Sequence, residues 1–361
     1  MGPQRNDESP RSSKMTGRIG VEIEKAASLL KAGRLVAIPT ETVYGLAALA
    51  GSDSALDRLY EAKGRPRNHP VIVHIAEVAQ LEDWAIDITD GARLLAESFW
   101  PGPLTMVLKK RESVSYKITG GQETVAIRIP KHPLTLSLLK ELGEGIVAPS
   151  ANKFGRLSPT RADDVDREFQ EEVAYILEGG PCDVGIESTI LNLSSRVPEI
   201  LRPGRIHSEE LERVLGAKVT SKFEESKAEK ANLKEEGEVR VPGALLQHYA
   251  PVKPLYLIES TKLRAKIESL RSAKNMPGLL LLNEEREVLD SIPGSPYIVT
   301  PGNPETYARL LYSSLRELDA SDCDCIIVES IPDTPEWSGV KDRLKRAAVR
   351  TNPGRTSGET S

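Results

Sequence analysis

The feature that most constrains the fold is the stretch at residues 34–46, RLVAIPTETVYGL, in which a short apolar run stops at a proline. Residues 35–38 have the composition of a buried strand, and Pro39 cannot continue its hydrogen-bond ladder. Two threonines, a glutamate and a tyrosine then follow within residues 40–44. Because buried polar groups need partners, the pattern predicts a strand that delivers polar side chains to a turn, with a ligand as their simplest partner.

The order of apolar runs predicts an α/β protein, and a length of 361 residues favours two domains. In the first part we predict strands at 35–38, 71–75, 104–109, 124–129, 145–148 and 189–193, and helices at 19–35, 55–63, 91–99 and 134–142. They do not alternate strictly, which favours a mixed, twisted sheet with helices. In the last part, strands at 255–258, 278–282 and 325–329 and helices at 261–273 and 304–318 follow a βαβ rhythm, which favours a small parallel, Rossmann-like sheet.

Composition places the domain boundaries. We predict that the polar residues 1–17 form a disordered head and that residues 351–361 form a disordered tail. Between them we predict a first α/β domain at 18–208, a linker at 209–252 and a second α/β domain at 253–350. The linker assignment rests on residues 221–240, of which eleven are charged. Near its end, the sequence His248-Tyr249-Ala250-Pro251 is unusual for a spacer. It is read either as a docking segment or as an anchor for the second domain.

Charge and cysteine content exclude several classes of function. The net charge is -5, and residues 34–156 hold fifteen Lys or Arg against fourteen Asp or Glu, a balance of +1 that is weak for a nucleic-acid binder. Three cysteines and no apolar leader predict a cytoplasmic protein with free thiols. Zinc-binding, Walker A, GxGxxG and GxSxG patterns do not occur, so we predict no protein-built metal site.

Three further groups of polar residues are candidate ligand contacts. Lys63, Arg65 and Arg67 form a basic cluster that is read either as a phosphate site or as a solvated turn. The run at 150–152, Ser-Ala-Asn, follows an apolar segment and suits either an anion site or an ordinary turn. Arg128 lies within the strand 124–129, so its guanidinium either faces a cleft and binds a carboxylate or pairs with a nearby acid.

Together these segments resemble the threonylcarbamoyl-AMP synthase family in its two-domain form, with a YrdC-like domain followed by a C-terminal domain. The matching blocks are PTETVYGL at 39–46, KGRP at 63–66, VIVHI at 71–75, WPGPLT at 100–105, VAIRIP at 125–130, APSAN at 148–152, ESTI at 187–190 and LRPGRI at 201–206. HYAP at 248–251, LRELD at 315–319 and DRLKRAA at 342–348 resemble the linker and second domain. The likeness therefore spans residues 19–350.

The resemblance implies a nucleotidyltransferase of tRNA modification. It would combine L-threonine, bicarbonate and ATP into threonylcarbamoyl-AMP and release pyrophosphate, with Mg²⁺ carried by the ATP. A tRNA threonylcarbamoyl transferase would receive the product and modify adenosine 37 of tRNAs that read ANN codons, so that this protein meets tRNA only indirectly or weakly.

The resemblance also implies the residues of the site. Thr42, His74, Arg128, Ala148 and Ser188 would contact L-threonine. Lys63, Arg65, His69, Thr124, Ser150, Asn152, Ser158, Arg202 and Tyr249 would bind ATP, with Lys63 and Arg65 as the catalytic groups. Family members commonly carry Asn directly before the proline where this chain has His69, so either Asn68 or His69 is the expected nucleotide contact.

Two alternative functions compete with this interpretation. A double-stranded RNA or tRNA binding module would use a concave surface lined with Lys and Arg, although the local charge balance is against it. The carbamoyl-transfer domain of hydrogenase maturation shares the YrdC-like fold. Those proteins carry paired zinc cysteines, which this sequence lacks.

Overall fold

The computed structural model describes residues 18–169, 171–221, 239–243, 248–283 and 294–349. The predicted head and tail, and most of the charged part of the predicted linker, lie outside these residues. The described chain forms two α/β units, each built on its own sheet, as the sequence predicts.

The first unit is built on a long mixed sheet. Its strands are β1 (Ile19–Gly20), β2 (Val36–Ile38), β3 (Gly45–Leu49), β4 (Ile72–His74), β5 (Leu104–Lys109), β6 (Thr124–Arg128), β7 (Ile146–Val147), β8 (Tyr175–Leu177), β9 (Thr189–Asn192), β10 (Glu199–Arg202) and β11 (Thr220–Ser221). They lie in the order β1-β8-β2-β3-β7-β4-β6-β5-β9-β10-β11. The sheet contains both parallel pairs, such as β4–β6, and antiparallel pairs, such as β5–β6, which confirms the mixed sheet.

Helices and short helical turns surround this sheet. They are α1 (Ile23–Lys31), α2 (Asp53–Lys63), α3 (Leu81–Trp84), α4 (Asp90–Phe99), α5 (Tyr116–Thr119), α6 (Pro133–Leu142), α7 (Ala162–Glu168) and α8 (Ser208–Leu215), with a 3₁₀ turn at Val78–Gln80. The limits of α2 follow from its sequence. The Ser52 hydroxyl accepts a hydrogen bond from the Ala55 amide at 3.3 Å, and Gly64 ends the helix in the left-handed region at φ 62°.

The second unit is a small parallel sheet with helices. Its elements are β12 (Leu255–Ile258), α9 (Ser260–Ser272), β13 (Pro277–Leu282), β14 (Tyr297–Thr300), α10 (Pro304–Ala320), β15 (Cys325–Glu329), a 3₁₀ turn (Pro335–Trp337) and α11 (Ser338–Ala347). The strand order is β12-β15-β13-β14, and every pair is parallel. This agrees with the Rossmann-like prediction and adds the strand β14.

The structure differs from the predicted elements in several places. Residues 19 and 20 form β1 rather than the start of a helix, because they pair with β8, a strand that the sequence did not predict. Strand β3, with the sequence GLAAL, directly follows the predicted turn and was not among the predicted strands. The predicted linker begins within α8, whose Leu211 is buried, and β11 adds a further strand to the sheet, so the first unit extends to residue 221.

Strand register brings the predicted polar residues together at one place on the first sheet. β4 and β6 are parallel, and the register sets His74 opposite Arg128 at the ends of their strands. On the other side of β4, the antiparallel strands β7 and β3 bring the loop after residue 147 close to the turn before Gly45. Since these strand ends meet, a cavity forms among them.

Candidate active site

A cavity lies where these strand ends meet. Its walls come from the turn before β3, the ends of β4 and β6, the loop after β7, the segment before β9, the end of β10 and two pieces of the linker. The lining residues are Thr40, Thr42, Val43, Gly45, Arg65, Ile72, His74, Arg128, Ala148, Pro149, Ser150, Glu187, Ser188, Arg202, Pro242, Gly243, His248 and Tyr249.

The turn after β2 forms one wall and is fixed by its own hydroxyl groups. Thr40 Oγ1 donates to the carbonyl oxygen of Val43 at 2.6 Å and lies 2.8 Å from Thr42 Oγ1. The amides of Thr42 and Val43 both donate to Thr40 Oγ1. The crowded polar residues therefore satisfy each other in part, and Thr42 is presented to the cavity.

Arg128, at the end of β6, is buried with its guanidinium against this turn. Its Nη1 donates to Thr42 Oγ1 at 2.9 Å, and its Nε donates to the carbonyl oxygen of Gly102 at 3.1 Å. Its Nη2 lies 2.6 Å from Glu41 Oε1, and both side chains are about 95% buried, with exposed fractions of 4% and 5%. Arg128 thus lines the cavity and pairs with an acid. The pairing agrees with the second interpretation of this residue, and binding of a substrate carboxylate stays a prediction.

His74 lies beside Arg128 and is 3% exposed. Its Nδ1 is 3.2 Å from the carbonyl oxygen of Ile72. Burial, together with the neighbouring Arg128 charge, lowers the pKa of His74 to about 3. The imidazole is therefore neutral at physiological pH and offers this wall a hydrogen-bonding group without charge.

The basic cluster after α2 divides between the cavity and its surroundings. Arg65 lines the cavity, with its Nη2 donating to the carbonyl oxygen of Pro70 at 2.7 Å, and burial lowers its pKa to about 10. Lys63 Nζ instead donates to the carbonyl oxygens of Ser150 and Asn152, each at 2.5 Å. Arg67 is exposed and pairs with Asp57. One cation of the three thus faces the cavity.

Ser188 and Arg202 form the opposite wall. The Ser188 hydroxyl lies 2.8 Å from Thr105 Oγ1 and accepts a hydrogen bond from Arg202 Nη2 at 3.0 Å. Arg202 Nε and Nη2 also donate to the carbonyl oxygen of Ser188, at 3.1 and 2.9 Å. Its Nη1 donates to the carbonyl oxygen of Pro242 at 3.0 Å. Arg202 therefore connects this wall to the linker.

Tyr249 of the linker forms part of the cavity wall and is 1% exposed. Its backbone has a positive φ of 60°, which is uncommon for a residue other than glycine. The Tyr249 hydroxyl has no hydrogen-bond partner among the described residues, and burial raises its pKa to about 12. The ring of His248 contacts Tyr249 at 4.1 Å between centroids and Phe154 at 5.9 Å. The HYAP segment is therefore docked on the first unit.

Nine of the predicted site residues line this cavity. They are Thr42, Arg65, His74, Arg128, Ala148, Ser150, Ser188, Arg202 and Tyr249. The other five, Lys63, His69, Thr124, Asn152 and Ser158, lie outside its lining. Lys63 and Asn152 hold the loop after β7, since Asn152 Nδ2 donates to the carbonyl oxygens of Lys153 and Arg156.

The remaining three of these residues, Ser158, Thr124 and His69, also lie outside the cavity lining. The Ser158 hydroxyl donates to Glu187 Oε1 at 2.5 Å. Thr124 begins β6, roughly 13 Å from Arg128 at its other end by the rise of a strand. The half-buried His69 ring contacts Phe154 at 5.5 Å between centroids.

Sequence analysis missed several lining residues. Glu187 appeared in the sequence analysis only as part of the ESTI block. A glutamate directly before a predicted site serine could itself have been predicted to lie at the site. Gly243 also lines the cavity at φ 81°, and a Cβ at this position would lie 2.0 Å from the Tyr249 hydroxyl oxygen. The Pro242-Gly243 pair in a charged linker was the signal for this contact.

The electrostatics of the cavity suit an anionic ligand. Arg65, Arg128 and Arg202 contribute three guanidinium groups, whereas Glu187 is the one carboxylate among the lining residues within the described part of the chain. Buried guanidinium groups bind carboxylates and phosphates through paired hydrogen bonds. With hydroxyls from Thr40, Thr42, Ser150 and Ser188 beside them, the cavity offers hydrogen-bond donors for carboxylate or phosphate oxygens.

The fold and this cavity define an anion-binding α/β enzyme, and comparison with known proteins identifies its class as nucleotidyltransferase. A Sua5/YciO/YrdC family model, described as telomere recombination, matches residues 28–204, and a model described as threonylcarbamoyl-AMP synthase, C-terminal domain, matches residues 206–349. Threonylcarbamoyl-AMP synthase of Bacillus subtilis (strain 168) is 40% identical over 334 residues, covering 91% of this chain and 93% of that protein. The chain belongs to the threonylcarbamoyl-AMP synthase family, whose members use ATP and L-threonine in tRNA modification.

A relative from Pyrococcus abyssi supports this assignment. Threonylcarbamoyl-AMP synthase of Pyrococcus abyssi (strain GE5 / Orsay) is 38% identical over 335 residues, covering 91% of this chain and 94% of that protein. The crystal structure of P. abyssi Sua5 complexed with L-threonine superposes with a TM-score of 0.81 at 35% identity, covering 91% of this chain and 97% of that one. Among the described residues, no helix has the length and apolar character to cross a membrane.

Proposed function

We propose that this cavity joins L-threonine, bicarbonate and ATP into threonylcarbamoyl-AMP with release of pyrophosphate. The observation that carries the proposal is the convergence of three buried arginines and four hydroxyl groups on one cavity. L-Threonine contributes a carboxylate, and ATP contributes three phosphates. A site with this chemistry neutralises both without a dedicated metal cage.

In this proposal threonine lies at the wall formed by Thr42, His74, Arg128 and Ser188, beside Ala148. The Arg128 guanidinium binds the threonine carboxylate. This requires that the pairing of Arg128 with Glu41 loosens or is shared, because Glu41 occupies part of the fork at 2.6 Å. The neutral His74 then lies beside the substrate without adding a charge that would disturb the amine.

ATP lies at the wall formed by Arg65, Ser150, Arg202 and Tyr249. Arg65 and Arg202 face the phosphates, and Ser150 offers a hydroxyl donor. Lys63 and Asn152 support this wall from behind, because both hold the loop that carries Ser150.

The chemistry needs no protein nucleophile. The threonine amine attacks the carbon of bicarbonate, a C–N bond forms, and hydroxide leaves with the amine proton as water. A carbamate oxygen then attacks the α-phosphorus of ATP, and the bond to the β-phosphate oxygen breaks to release pyrophosphate. Both steps depend on positioning and on charge neutralisation, which is what a cavity rich in arginine supplies.

Magnesium would arrive with ATP, as it does for many nucleotide enzymes. In the parts of the chain that the structure describes, no group of three or more His, Cys, Asp or Glu side chains could hold a metal ion. The lining carboxylate, Glu187, is paired with Arg343 at 2.8 Å. The residues present therefore do not form a site of their own for Mg²⁺, and we assign no step to it.

We further propose that the protein acts in the cytoplasm and passes the adenylate to a tRNA threonylcarbamoyl transferase, meeting tRNA only indirectly or weakly. The mixed anhydride between carbamate and phosphate is reactive toward water, so a closed cavity with Tyr249 over its mouth would protect it until release.

The test is mass spectrometry of the product that the purified full-length protein forms from ATP, L-threonine and bicarbonate. We expect threonylcarbamoyl-AMP and pyrophosphate in equal amounts, and no product when threonine or bicarbonate is omitted. Labelled bicarbonate should place its carbon in the product. Pyrophosphate release that is independent of threonine would contradict the proposal. Tight binding of unmodified tRNA in a gel shift without ATP turnover would favour an RNA-binding module instead.

A further inference from the structure

The Glu187 carboxylate lies where the cavity wall meets the second unit. It accepts hydrogen bonds from three side chains in the described residues. Ser158 of the first unit donates at 2.5 Å, and the two others come from the second unit: Tyr312 Oη on α10 donates at 3.0 Å, and Arg343 Nε on α11 donates at 2.8 Å. The residue after Glu187 is Ser188, which lines the cavity.

Arg343 is 1% exposed and contacts the backbone on both sides of the cavity wall. Its Nη2 donates to the carbonyl oxygen of Glu187 at 3.1 Å, and its Nη1 donates to the carbonyl oxygen of Pro203 at 2.6 Å. Pro203 directly follows Arg202. One side chain of the second unit therefore fixes the residue before Ser188 and the residue after Arg202.

The same guanidinium also faces the linker. Its central carbon lies 5.3 Å from the centroid of the Tyr249 ring, a cation–π distance. The ring of Tyr312 lies 6.1 Å from that of Tyr249. Thus the second unit contacts the neighbours of Ser188 and Arg202 and the ring of Tyr249 itself.

The negative charge of Glu187 strengthens its contact with Arg343. Burial acts to raise the pKa of this carboxyl, but Arg343 and Arg202 outweigh burial and lower it to about 2. Glu187 therefore stays ionised at neutral pH in a fully buried place. A buried carboxylate of this kind requires its partner, so removal of one partner from such a pair destabilises the fold.

We propose that Arg343 is a positioning residue for the reaction, acting through Glu187 and Pro203 to hold Ser188 and Arg202 in the geometry that binds substrates. The proposal rests on the assignment of Ser188, Arg202 and Tyr249 to the substrate site. It makes the second unit part of the active site, because Arg343 of this unit holds the cavity wall that carries Ser188 and Arg202. Arg343 lies more than 150 residues after Glu187 in the sequence.

The experiment measures pyrophosphate release by the full-length protein, with KM and kcat for threonine and for ATP. We expect Arg343→Gln to lower kcat/KM for both substrates by at least tenfold, and Arg343→Lys to restore only part of this because an ammonium cannot reach Glu187 and Pro203 together. Arg205→Gln is the matched control. Arg205 also pairs across the two units, with Glu305 at 2.6 Å, but it lies outside the cavity. We expect wild-type kinetics for it.

A second set of variants separates positioning from folding. Arg343→Gln leaves Glu187 unpaired and is expected to lower stability. The double variant Glu187→Gln/Arg343→Gln removes the unpaired charge and should regain most of the thermal stability, yet keep the low kcat/KM. Tyr312→Phe removes one hydrogen bond to Glu187 and should lower kcat/KM by a smaller factor with the fold retained.

The outcomes are distinct. A stable double variant, or a Tyr312→Phe variant, with wild-type kinetics would overturn the positioning role while the wild-type protein still makes threonylcarbamoyl-AMP. A wild-type protein that makes no such product would instead overturn the substrate assignment, and with it this inference.

Discussion

Arg128 and Glu41 form a buried ion pair in the cavity wall that we propose binds threonine, with Arg128 Nη2 2.6 Å from Glu41 Oε1. The pair is formed between the end of β6 and the turn after β2. Glu41 is held in place by a second contact, since its Oε2 accepts a hydrogen bond from the amide of Lys131 at 3.0 Å. The carboxylate of Glu41 thus occupies the kind of position that a substrate carboxylate would need.

The first prediction separates the structural and functional roles of this pair. Arg128→Ala leaves a buried carboxylate without its partner, so we expect a loss of about 3–5 kcal/mol in the free energy of unfolding as well as loss of activity. The double variant Glu41→Gln/Arg128→Gln removes both charges and should regain most of that stability. Its kcat/KM for threonine should stay about 10- to 100-fold low, because a charged hydrogen bond to the substrate carboxylate is missing.

Urea unfolding and pyrophosphate release check this pair of variants. A double variant that is both stable and fully active would mean that Arg128 serves only to neutralise Glu41. The threonine carboxylate would then need a different partner in the cavity.

The second prediction compares two arginines of the same cluster. Arg65 lines the cavity, whereas Arg67 is exposed on the outer face of the same turn and pairs with Asp57. Arg65→Ala should lower kcat/KM for ATP by about 100-fold, the usual effect of removing one preorganised donor from developing charge. Arg67→Ala should change it by less than about twofold. Equal effects of both substitutions on steady-state kinetics would point to a general electrostatic attraction of ATP.

This division of the basic cluster illustrates what the sequence could predict. The spacing of Lys63, Arg65 and Arg67 beside a proline indicated an anion site, and the structure brings one of the three to the cavity. Lys63 is the last residue of α2, and its Nζ contacts the loop after β7. Gly64, at φ 62°, ends the helix and redirects the chain that carries Arg65 and Arg67. The direction of a side chain at a helix end depends on this packing, which local sequence does not encode.

The turn at 40–45 and the position of Arg128 were predictable for a different reason. Both follow from local rules, namely a strand that ends at Pro39 and an arginine within a buried strand. The contacts of Glu187 were not predictable, since Arg343 lies 156 residues further along the chain. Only the docking of the second unit brings the two together, and no periodicity or turn signal in either segment indicates that contact.

The third prediction concerns pH and stability. Burial lowers the pKa of both His74 and His248 to about 3, against an ordinary value near 6.5. Between these values the unfolded chain binds more protons than the folded one, so stability is complete above pH 6.5 and falls as pH falls. Between pH 6.5 and pH 5, the lowered pKa of each imidazole should reduce the free energy of unfolding by about 2 kcal/mol.

Urea unfolding at pH 7.5 and pH 5 measures this loss. The double variant His74→Gln/His248→Gln should lose less stability than the wild type over the same range. Glu187 does not contribute in this window, because its lowered pKa matters only below the ordinary value of 4.5. Identical pH slopes in the two proteins would show that both imidazoles accept protons in the folded state.

The last prediction tests whether the linker closes the cavity through Tyr249. Gly243→Ala would place a Cβ 2.0 Å from the Tyr249 hydroxyl oxygen, at a φ of 81° that disfavours any side chain. We expect the tyrosine to be displaced, so kcat/KM for ATP should fall by about tenfold or more.

Gly216→Ala is the matched control, because Gly216 also has a positive φ, of 61°, but a Cβ there meets no atom within 4 Å. It should cost about 1 kcal/mol or more in stability and leave the kinetics unchanged. If both variants kept wild-type kinetics while Gly243→Ala lost stability, the segment would be a tether that packs on the catalytic unit without closing over its substrates.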